Sequence, residues 1–356
     1  MRLHIVEPTL HSFAGHCHSL VDALTQAMPH VPVTIWAGRG SQSFWSGAGD
    51  LKPYFFRSWR RLQAVWLYRR LLKTDGKILI STAGTSDFLT LDWIASRPIP
   101  ANKVYLYVHW VGAKTHKAEQ LRKVALRQPE LEILTTTESV AEFFRTIGFR
   151  ANAVPYPVSK GSEEVQKPQP FRRLVVAGAA RMDKGFDRIV DLVENLKASD
   201  ANVPIVVQAS ATHKDKHPSD IAAQIERLVK IGYAPLQLIT DTLTPQAYRE
   251  MFVGGVSVQP YSADAFQDRV SGVTLDALGA GCPVVVTANT WLARTVERYH
   301  AGMAAENLTP LGLRAAVDAV LVDYGAFADN AARAGRDVRA MHSADSMVNA
   351  LFGTQS

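Results

Sequence analysis

The residues best suited to chemistry lie in the segment 256–287, where an apolar run, a polar loop, a helical pattern and a second apolar run follow one another. Ser271 stands at the expected helix start and is a favourable N-cap residue, and the backbone amides of Gly272 and Val273 come directly after it. Helix N-termini attract anions, and Arg269 lies just upstream. The segment therefore predicts an anion site, with an ordinary capped helix as the alternative.

Two carboxylates flank this helix start. Asp268 precedes it, and Asp276 lies about one turn inside the helix. Carboxylates accept hydrogen bonds from hydroxyl groups, so an anion site between two acids suits a phosphorylated ligand that also carries hydroxyls. In the alternative interpretation both acids are simply solvated.

A second pair of cations follows the apolar run at residues 172–180. Arg181 and Lys184 lie in the turn between this run and the next helical pattern. Two cations and two helix N-termini would hold a diphosphate without a metal ion, and they would meet the charge that develops when a phosphate ester bond breaks. The alternative is a surface turn in which Lys184 and Asp183 are solvated.

Short apolar runs that alternate with helical patterns are the elements that position these residues. This alternation predicts an α/β fold with parallel sheets and helices on both faces. A polar, Pro-containing stretch interrupts the pattern once, which indicates two Rossmann-like domains. The expected division is 1–158 for the N-terminal domain, 159–171 for the linker, 172–330 for the C-terminal domain, and 331–356 for a C-terminal helix that could cross back to the first domain.

Three first-domain residues follow predicted strands, at the sheet edge where α/β proteins bind ligands. His109 ends the strand near residues 103–109, and Gly15 and His16 lie in the loop after the first strand. A glycine there lets the backbone approach a ligand closely. His109 could instead be a structural hydrogen-bonding residue, and His16 a surface residue.

Two segments resemble nucleotide-sugar-dependent glycosyltransferases of the GT-B fold, in particular the retaining enzymes related to bacterial cell-surface mannosyl- and glucosyltransferases. The segments are VVAGAARMDKGFDRIVDLVENL (175–196) and SVQPYSADAFQDRVSGVTLDALGAGCPVVVT (257–287). The resemblance implies a GT-B chain of two Rossmann-like domains whose parallel sheets face a central cleft. It also implies a nucleotide diphosphate sugar as donor, with neither a metal nor a separate cofactor.

The family pattern assigns roles to the second-domain residues. It has two glutamates eight positions apart, where this chain has Asp268 and Asp276. By resemblance Asp276 holds the ribose hydroxyls and Asp268 lies near the donor sugar. The amides of residues 271–273 match the diphosphate-binding turn. Lys184 matches the family's lysine, whereas Arg181 stands closer to that lysine than the family's arginine commonly does.

By the same resemblance, His109 matches the active-site histidine and lies against the donor sugar at the reaction centre. Gly15 and His16 match the first loop, where the backbone approaches the donor. The resemblance further implies retaining transfer, in which the departing phosphate oxygen takes the proton of the acceptor hydroxyl.

Length and composition limit the class of protein. A chain of 356 residues is comfortable for two domains. Cys17 and Cys282 are its two cysteines, which suits a reducing compartment. The N-terminus lacks the pattern of a signal peptide, and no apolar stretch is long enough to span a bilayer. We therefore expect a cytoplasmic protein.

Charge divides unevenly along the chain. Residues 1–160 hold 20 Lys+Arg and 11 Asp+Glu, a balance of +9, which leaves −3 for the remainder of a chain whose total is +6. The segment 51–73 combines seven Lys or Arg with several aromatic residues and no acid, and the segment 114–127 adds five more cations. Such segments suit an anionic membrane surface, here the inner face of the plasma membrane. The alternatives are a partly buried helix with solvated cations and, without a supporting motif, nucleic-acid binding, which we do not expect.

Together these features predict a glycosyltransferase that moves a sugar from a nucleotide diphosphate donor to a cell-envelope, polysaccharide or lipid-linked acceptor. An epimerase of the same fold is the first alternative. A non-catalytic sugar-nucleotide or lipid-binding protein is the second, because aspartates replace both family glutamates. The sequence leaves UDP and GDP donors equally open.

Overall fold

A computed structural model describes residues 1–11, 16–111, 115–158, 168–211 and 218–353. The chain divides into two compact units, with residues 1–160 and 341–356 in unit 1 and residues 161–340 in unit 2. Of the linker expected at 159–171, residues 159–167 lie outside the described residues.

Unit 1 is built on a seven-stranded parallel sheet with the strand order β3-β2-β1-β4-β5-β6-β7. Its strands are β1 (Leu3–Glu7), β2 (Val33–Gly38), β3 (Asp50–Phe55), β4 (Lys77–Ile80), β5 (Val104–Val108), β6 (Glu132–Thr135) and β7 (Arg150–Ala153). The central strands are fully buried, as their Val, Ile and Leu content predicts. The edge strand β3 is half exposed, and an edge position tolerates its Pro53.

Helices follow most of these strands, and all but the first of these helices contribute residues to one hydrophobic core on the sheet. They are α1 (His16–Ala27), α2 (Arg60–Leu71), α3 (Thr85–Ile94), α4 (Thr115–Arg127) and α5 (Glu138–Thr146). The segment 51–73 is thus an edge strand followed by a helix.

Unit 2 has its own core and a six-stranded parallel sheet with the order β10-β9-β8-β11-β12-β13. Its strands are β8 (Arg173–Val176), β9 (Ile205–Gln208), β10 (Leu236–Ile239), β11 (Gly255–Gln259), β12 (Val284–Thr287) and β13 (Gly302–Ala305). Its helices are α6 (Phe186–Ala198), α7 (Ser219–Ile231), α8 (Pro245–Phe252), α9 (Ala263–Phe266), α10 (Gly272–Gly279), α11 (Trp291–Tyr299), α12 (Pro310–Val322) and α13 (Tyr324–Met341).

The C-terminal residues 341–356 belong to unit 1. The last helix, α14 (Asp345–Phe352), packs near α1. Just before it, the His342 backbone carbonyl accepts a hydrogen bond from the Val158 amide at 2.9 Å, and the His342 ring bonds to the Tyr156 carbonyl at 2.8 Å. One backbone hydrogen bond and one side-chain hydrogen bond thus attach His342 to residues 156 and 158 of unit 1.

In each sheet there is one point at which the chain stops adding strands on one side of its first strand and begins to add them on the other side. In unit 1 the reversal lies between β1 and β4, and in unit 2 between β8 and β11. Loops diverge at such a point and leave a crevice beyond the carboxyl ends of the two strands, where α/β sheets bind ligands. The turn after β8 and the loop after β11 carry the residues that the sequence singled out.

Candidate functional site

The turn after β8 and the loop after β11 are joined by close backbone contacts. The Ser262 amide donates to the Asp183 carbonyl at 2.9 Å. Gly185, which precedes α6, has φ +66°, and a Cβ at this position would lie 2.1 Å from the Pro260 carbonyl oxygen. Only glycine fits there. The two loops that carry Arg181, Lys184 and the α10 start are therefore held side by side within unit 2.

Lys184 extends from the turn after β8 toward the start of α10. Its Nζ lies 3.1 Å from the position that a Cβ on Gly178 would take, and the same position is 3.6 Å from a methyl of Val273. The ammonium is 5.4 Å from the centroid of the Tyr261 ring. Burial lowers the pKa of Lys184 to about 8, and the neighbouring Arg181 and Arg269 add to the effect. An anion bound at this point would stabilise the charged form of Lys184 and so offset the cost of burying it.

Arg181 and Arg269 share one carboxylate. Arg181 Nε donates to Asp183 Oδ1 at 2.7 Å and a second guanidinium nitrogen contacts Oδ2, while Arg269 Nη1 lies 3.7 Å from Oδ2. Burial and the Arg181 charge lower the pKa of Arg269. With Lys184, which also lies near Asp276, three cations face two carboxylates, so this part of unit 2 carries a small excess of positive charge.

Helix α10 begins as the sequence predicted. The Ser271 side chain accepts a hydrogen bond from the Thr274 amide at 3.3 Å, which is an N-cap. The first amides of a helix, here those of Gly272 and Val273, have no partner within the helix. Thr274 Oγ1 also donates to the buried Gln259 at 2.7 Å, and this bond anchors the helix start to the end of β11.

Asp276 lies on the first turns of α10 and bonds to a helix that sequence analysis did not connect with it. Tyr248 of α8 donates a hydrogen bond to Asp276 Oδ2 at 3.1 Å. The side chain is accessible to solvent, yet the protein around it reduces its hydration and raises its pKa to about 6; the Tyr248 hydrogen bond and the Lys184 charge act in the opposite direction. Asp276 thus titrates near neutral pH.

Asp268 lies on the loop between α9 and α10 and is paired. Arg294 of α11 donates to Asp268 Oδ1 at 3.0 Å and to the Gln267 carbonyl at 2.6 Å. Sequence analysis did not connect this arginine with Asp268, because it lies in a separate helix. The role of Asp268 near a donor sugar stays a prediction.

The structure describes two of the three first-domain candidates, His109 and His16, and both belong to unit 1. His109 follows β5, and its Nε2 is 2.7 Å from the Ser81 carbonyl oxygen after β4. The imidazole packs edge-on against the rings of Tyr107 and Tyr156. His16 is the first residue of α1, and Gly15 lies outside the described residues.

Asp183, Tyr248 and Arg294 are contact partners that sequence analysis did not place in the site, whereas Arg269 was expected beside the anion site at the start of α10. Each lies on a different loop or helix from the group that it contacts, apart from Asp183, whose bond to Arg181 is local. Among the described residues, His, Cys, Asp and Glu side chains form no group of three that would hold a metal ion.

The segment 51–73 carries an exposed apolar stripe. Trp59, Leu62 and Trp66, spaced by three and four residues, are 63%, 57% and 69% exposed, while the opposite side of α2 is buried. Trp93 on the adjacent α3 is equally exposed, and the Arg69 guanidinium lies 5.5 Å from its ring centroid. We call this the Trp–Arg surface: Phe56, Trp59, Leu62, Trp66 and Trp93 with the exposed Arg57, Arg60, Arg61, Arg69 and Arg70.

The second basic segment, 114–127, begins at a residue outside the described ones and continues as α4. Two of its cations pair with acids: Lys123 with Glu119 at 3.4 Å, and Arg127 with Asp92. In the part of the chain that the structure describes, no helix is both long and apolar enough to span a bilayer.

This chain is similar to known proteins in its structure but not in its sequence. No family model matches the chain, and no curated protein matches it. Sucrose-phosphate synthase from Thermosynechococcus elongatus superposes with a TM-score of 0.69 at 13% identity, covering 99% of this chain and 97% of that one.

Two further solved structures are similar over their full length. WaaG, described as a glycosyltransferase involved in lipopolysaccharide biosynthesis, gives a TM-score of 0.67 at 15% identity and covers 99% of this chain and 100% of its own. HepE of Anabaena, solved in complex with UDP-glucose, gives a TM-score of 0.70 at 11% identity and covers 99% of this chain and 98% of its own. With one parallel α/β sheet in each of its two units, the chain has the GT-B fold that its sequence predicted.

Proposed function

We propose that this protein is a glycosyltransferase that moves a hexose from a nucleotide diphosphate sugar to an acceptor hydroxyl. The observation that carries the proposal is the gathering of Arg181, Lys184 and Arg269 beside the N-terminus of α10, with Asp276 one turn further on. This arrangement offers positive charge for a diphosphate and a carboxylate for the hydroxyls of a ribose. The similar HepE structure was solved with UDP-glucose, which favours UDP-sugars as the first donors to test.

In the proposed reaction, the bond between the anomeric carbon and the phosphate oxygen breaks, and its electron pair leaves with the nucleoside diphosphate. The acceptor oxygen bonds to the same carbon, and its proton passes to the departing phosphate oxygen. Lys184 and Arg269, with the amides of Gly272 and Val273, would stabilise the negative charge that develops on that phosphate. The products are a glycoside and a nucleoside diphosphate. His109 would lie against the donor sugar, and no metal ion or separate cofactor would be needed.

A panel of UDP- and GDP-sugars in a thermal-shift assay tests the donor. A ligand that binds the folded state raises the unfolding temperature. The expected result is a rise with one class of nucleotide sugar and a smaller rise with the bare nucleoside monophosphate, which lacks the second phosphate. Equal shifts with mono- and diphosphates would contradict a site built for a diphosphate.

Product analysis separates the alternatives. A transferase gives a nucleoside diphosphate and a glycoside, an epimerase gives an altered sugar without a glycoside, and a binding protein gives no product. The NMR spectrum of the product's anomeric proton tests the mechanism. Retention of the donor's configuration is expected, and an inverted linkage would exclude the proton transfer described above.

We further propose that the Trp–Arg surface binds an anionic membrane, so that the acceptor is lipid-linked or lies in the cell envelope. Tryptophan and arginine suit the headgroup region, where the rings enter the apolar boundary and the guanidinium groups meet lipid phosphate. The protein would then lie on the cytoplasmic side of the plasma membrane. The unpaired state of Cys17 and Cys282 fits that reducing compartment.

Cosedimentation with vesicles tests this surface. Substitution of Trp59 and Trp66 by Ser should weaken binding to phosphatidylglycerol-containing vesicles at least tenfold, because burying one large apolar side chain contributes about 1.5–3 kcal/mol. The control is Val322→Ser, which changes an 89% exposed apolar residue of unit 2. Equal binding of the double variant, the control and the wild type would contradict the proposal.

A further inference from the structure

Glu7 is a buried carboxylate at the carboxyl end of β1. The residue is 0% exposed, its two oxygens accept hydrogen bonds from Thr9, Ser81 and Thr82, and the Cys17 thiol also contacts it. Its Oε1 accepts from the Thr9 amide at 3.0 Å, from the Thr9 hydroxyl at 2.5 Å and from the Thr82 hydroxyl at 3.0 Å. Its Oε2 accepts from the Ser81 hydroxyl at 2.8 Å. Hydroxyls and an amide, all neutral, make these bonds.

A carboxyl group is costly to bury, even where neutral donors hydrogen-bond it. A tie between two strand ends alone could be made by neutral groups. Glu7 and Ser81 follow β1 and β4, the two strands between which the unit 1 sheet reverses its direction. The carboxylate therefore lies at the point of this sheet where ligands are expected to bind.

Ser81 joins Glu7 to His109. Its hydroxyl donates to Glu7, and its carbonyl oxygen is 2.7 Å from His109 Nε2. A carbonyl oxygen only accepts hydrogen bonds, so Nε2 must carry the proton. The Ser81 amide donates to the Val6 carbonyl at 3.2 Å, and the single hydroxyl proton, whose shorter contact is with Glu7, is shared with the same carbonyl at 3.1 Å. Ser81 is thus fixed on both sides, and its carbonyl is fixed with it.

We infer that Glu7 is a positioning residue for His109: through Ser81 it holds the carbonyl that orients the imidazole and keeps it in the Nε2–H tautomer. The geometry stands on unit 1 alone. Its importance for sugar transfer rests on the proposed function. A tautomer fixed in this way presents the same ring edge to every substrate molecule, which is how supporting residues preorganise a site.

Ser81 and Thr82 make a matched pair for the test. Each donates one hydroxyl hydrogen bond to Glu7, but among the described contacts only Ser81 continues to His109. If Glu7 served only to tie strand ends, Ser81→Ala and Thr82→Val would have the same consequences. If Glu7 positions His109, the first variant alone would change the imidazole.

The measurement is the ¹⁵N NMR spectrum of histidine-labelled protein above the pH at which the ring is protonated, with His109→Gln used to assign the His109 signals. Wild type and Thr82→Val should show the Nε2–H tautomer alone. Ser81→Ala should show a mixture of tautomers. Glu7→Gln should do so as well, because glutamine has one acceptor oxygen and cannot hold both Ser81 and the Thr9–Thr82 pair.

An unchanged tautomer in Ser81→Ala and Glu7→Gln would overturn the inference, as would an equal change in Thr82→Val. Glu7→Gln keeps the test decisive if Ser81→Ala does not fold. Where transfer is measurable, the two perturbing variants should lower kcat about tenfold or more with little change in the donor KM. The NMR result needs no substrate, so a protein without transferase activity would contradict the proposed function and leave this test intact.

Discussion

At the scale of single residues, Lys184 shows how the site differs from the rest of the surface. Its pKa is lowered to about 8 by burial and by two neighbouring arginines. A lysine whose folded pKa is lowered destabilises the folded state while it is protonated, and this cost decreases as the pH rises from about 8 to the ordinary lysine pKa of 10.5. The protein therefore keeps a charge here that costs stability, which is typical of a functional group.

Asp276 gives the site a pH dependence. If the ionised carboxylate binds the donor ribose, donor affinity should be constant above about pH 7 and should fall up to tenfold per pH unit below 6, where the acid becomes protonated. Calorimetric titration of the donor across this range would measure the fall. Asp276→Asn should bind weakly and lose this dependence.

Tyr248→Phe provides a directional check on the same group. The Tyr248 hydrogen bond favours the ionised form, so its loss should raise the pKa and move the midpoint of the binding curve to higher pH. Unfolding would not explain weaker donor binding at low pH, because protonation of an acid whose pKa is raised in the folded state stabilises that state. A pH profile for Asp276→Asn identical to that of wild type would remove Asp276 from the donor site.

At the scale of elements, substitutions at two glycines distinguish the stability of the site from its ability to bind the donor. Gly185→Ala should lower the free energy of unfolding by at least about 2 kcal/mol, because its positive φ and its contact with the Pro260 carbonyl both exclude a Cβ. Urea denaturation would measure this loss.

Gly272→Ala is the matched control. A Cβ there meets nothing within 4 Å, and the backbone amide is retained. Both its stability, within about 0.5 kcal/mol, and its donor affinity should equal those of wild type. A large loss of donor affinity in Gly272→Ala would mean that the ligand needs the space at this position and not only the amide.

Element prediction from the sequence succeeded where the hydrophobic pattern was strong and failed at one edge of each sheet. The central strands and the capped start of α10 were predicted because Val- and Ile-rich runs and Ser271 are local signals. Strand β3, with its Pro53 and charged residues, and strand β13, with the sequence Gly-Met-Ala-Ala, were missed. Both are edge strands, whose pairing on one side only does not demand β-branched residues.

At the scale of the whole molecule, the uneven charge predicts how salt affects membrane binding. The positive excess lies in residues 1–160, which include the Trp–Arg surface. Binding to anionic vesicles should weaken as salt shortens the screening length from about 8 Å at physiological ionic strength to about 3 Å at 1 M. Changing Arg69 and Arg70 to Gln should weaken it about fivefold per charge, since each contributes ~1 kcal/mol near such a surface.

Arg298→Gln removes an exposed charge from unit 2 and serves as the control for that pair. Binding of Arg69→Gln/Arg70→Gln that is as strong as the control's, or binding indifferent to salt, would contradict electrostatic attachment through this surface.

The fold was predictable because short apolar runs and helical patterns alternate along the sequence. The site was predictable only in part. Ser271, Lys184 and Arg181 stand beside the turns they serve, whereas the contacts of Asp276 with Tyr248 and of Asp268 with Arg294 join residues far apart in sequence. Glu7 was not singled out in the sequence, and its contacts with Ser81 and Thr82 depend on the pairing of β1 with β4. Such pairings follow from strand order, which local patterns do not specify.

The central claim is that the cations of unit 2 bind and activate a nucleotide diphosphate sugar. The most direct measurement is the release of nucleoside diphosphate from a UDP- or GDP-sugar, with and without added sugar acceptors, by wild type, Lys184→Met and the control Lys230→Met, which alters an exposed lysine paired with Glu226. We predict release by wild type and by the control, and a loss of roughly 10- to 100-fold in Lys184→Met, the effect of one charge-assisted contact. The variant's unfolding temperature without ligand should be equal or higher, because a costly charge is removed. Undiminished release by Lys184→Met, or no release by wild type from any donor, would contradict the claim.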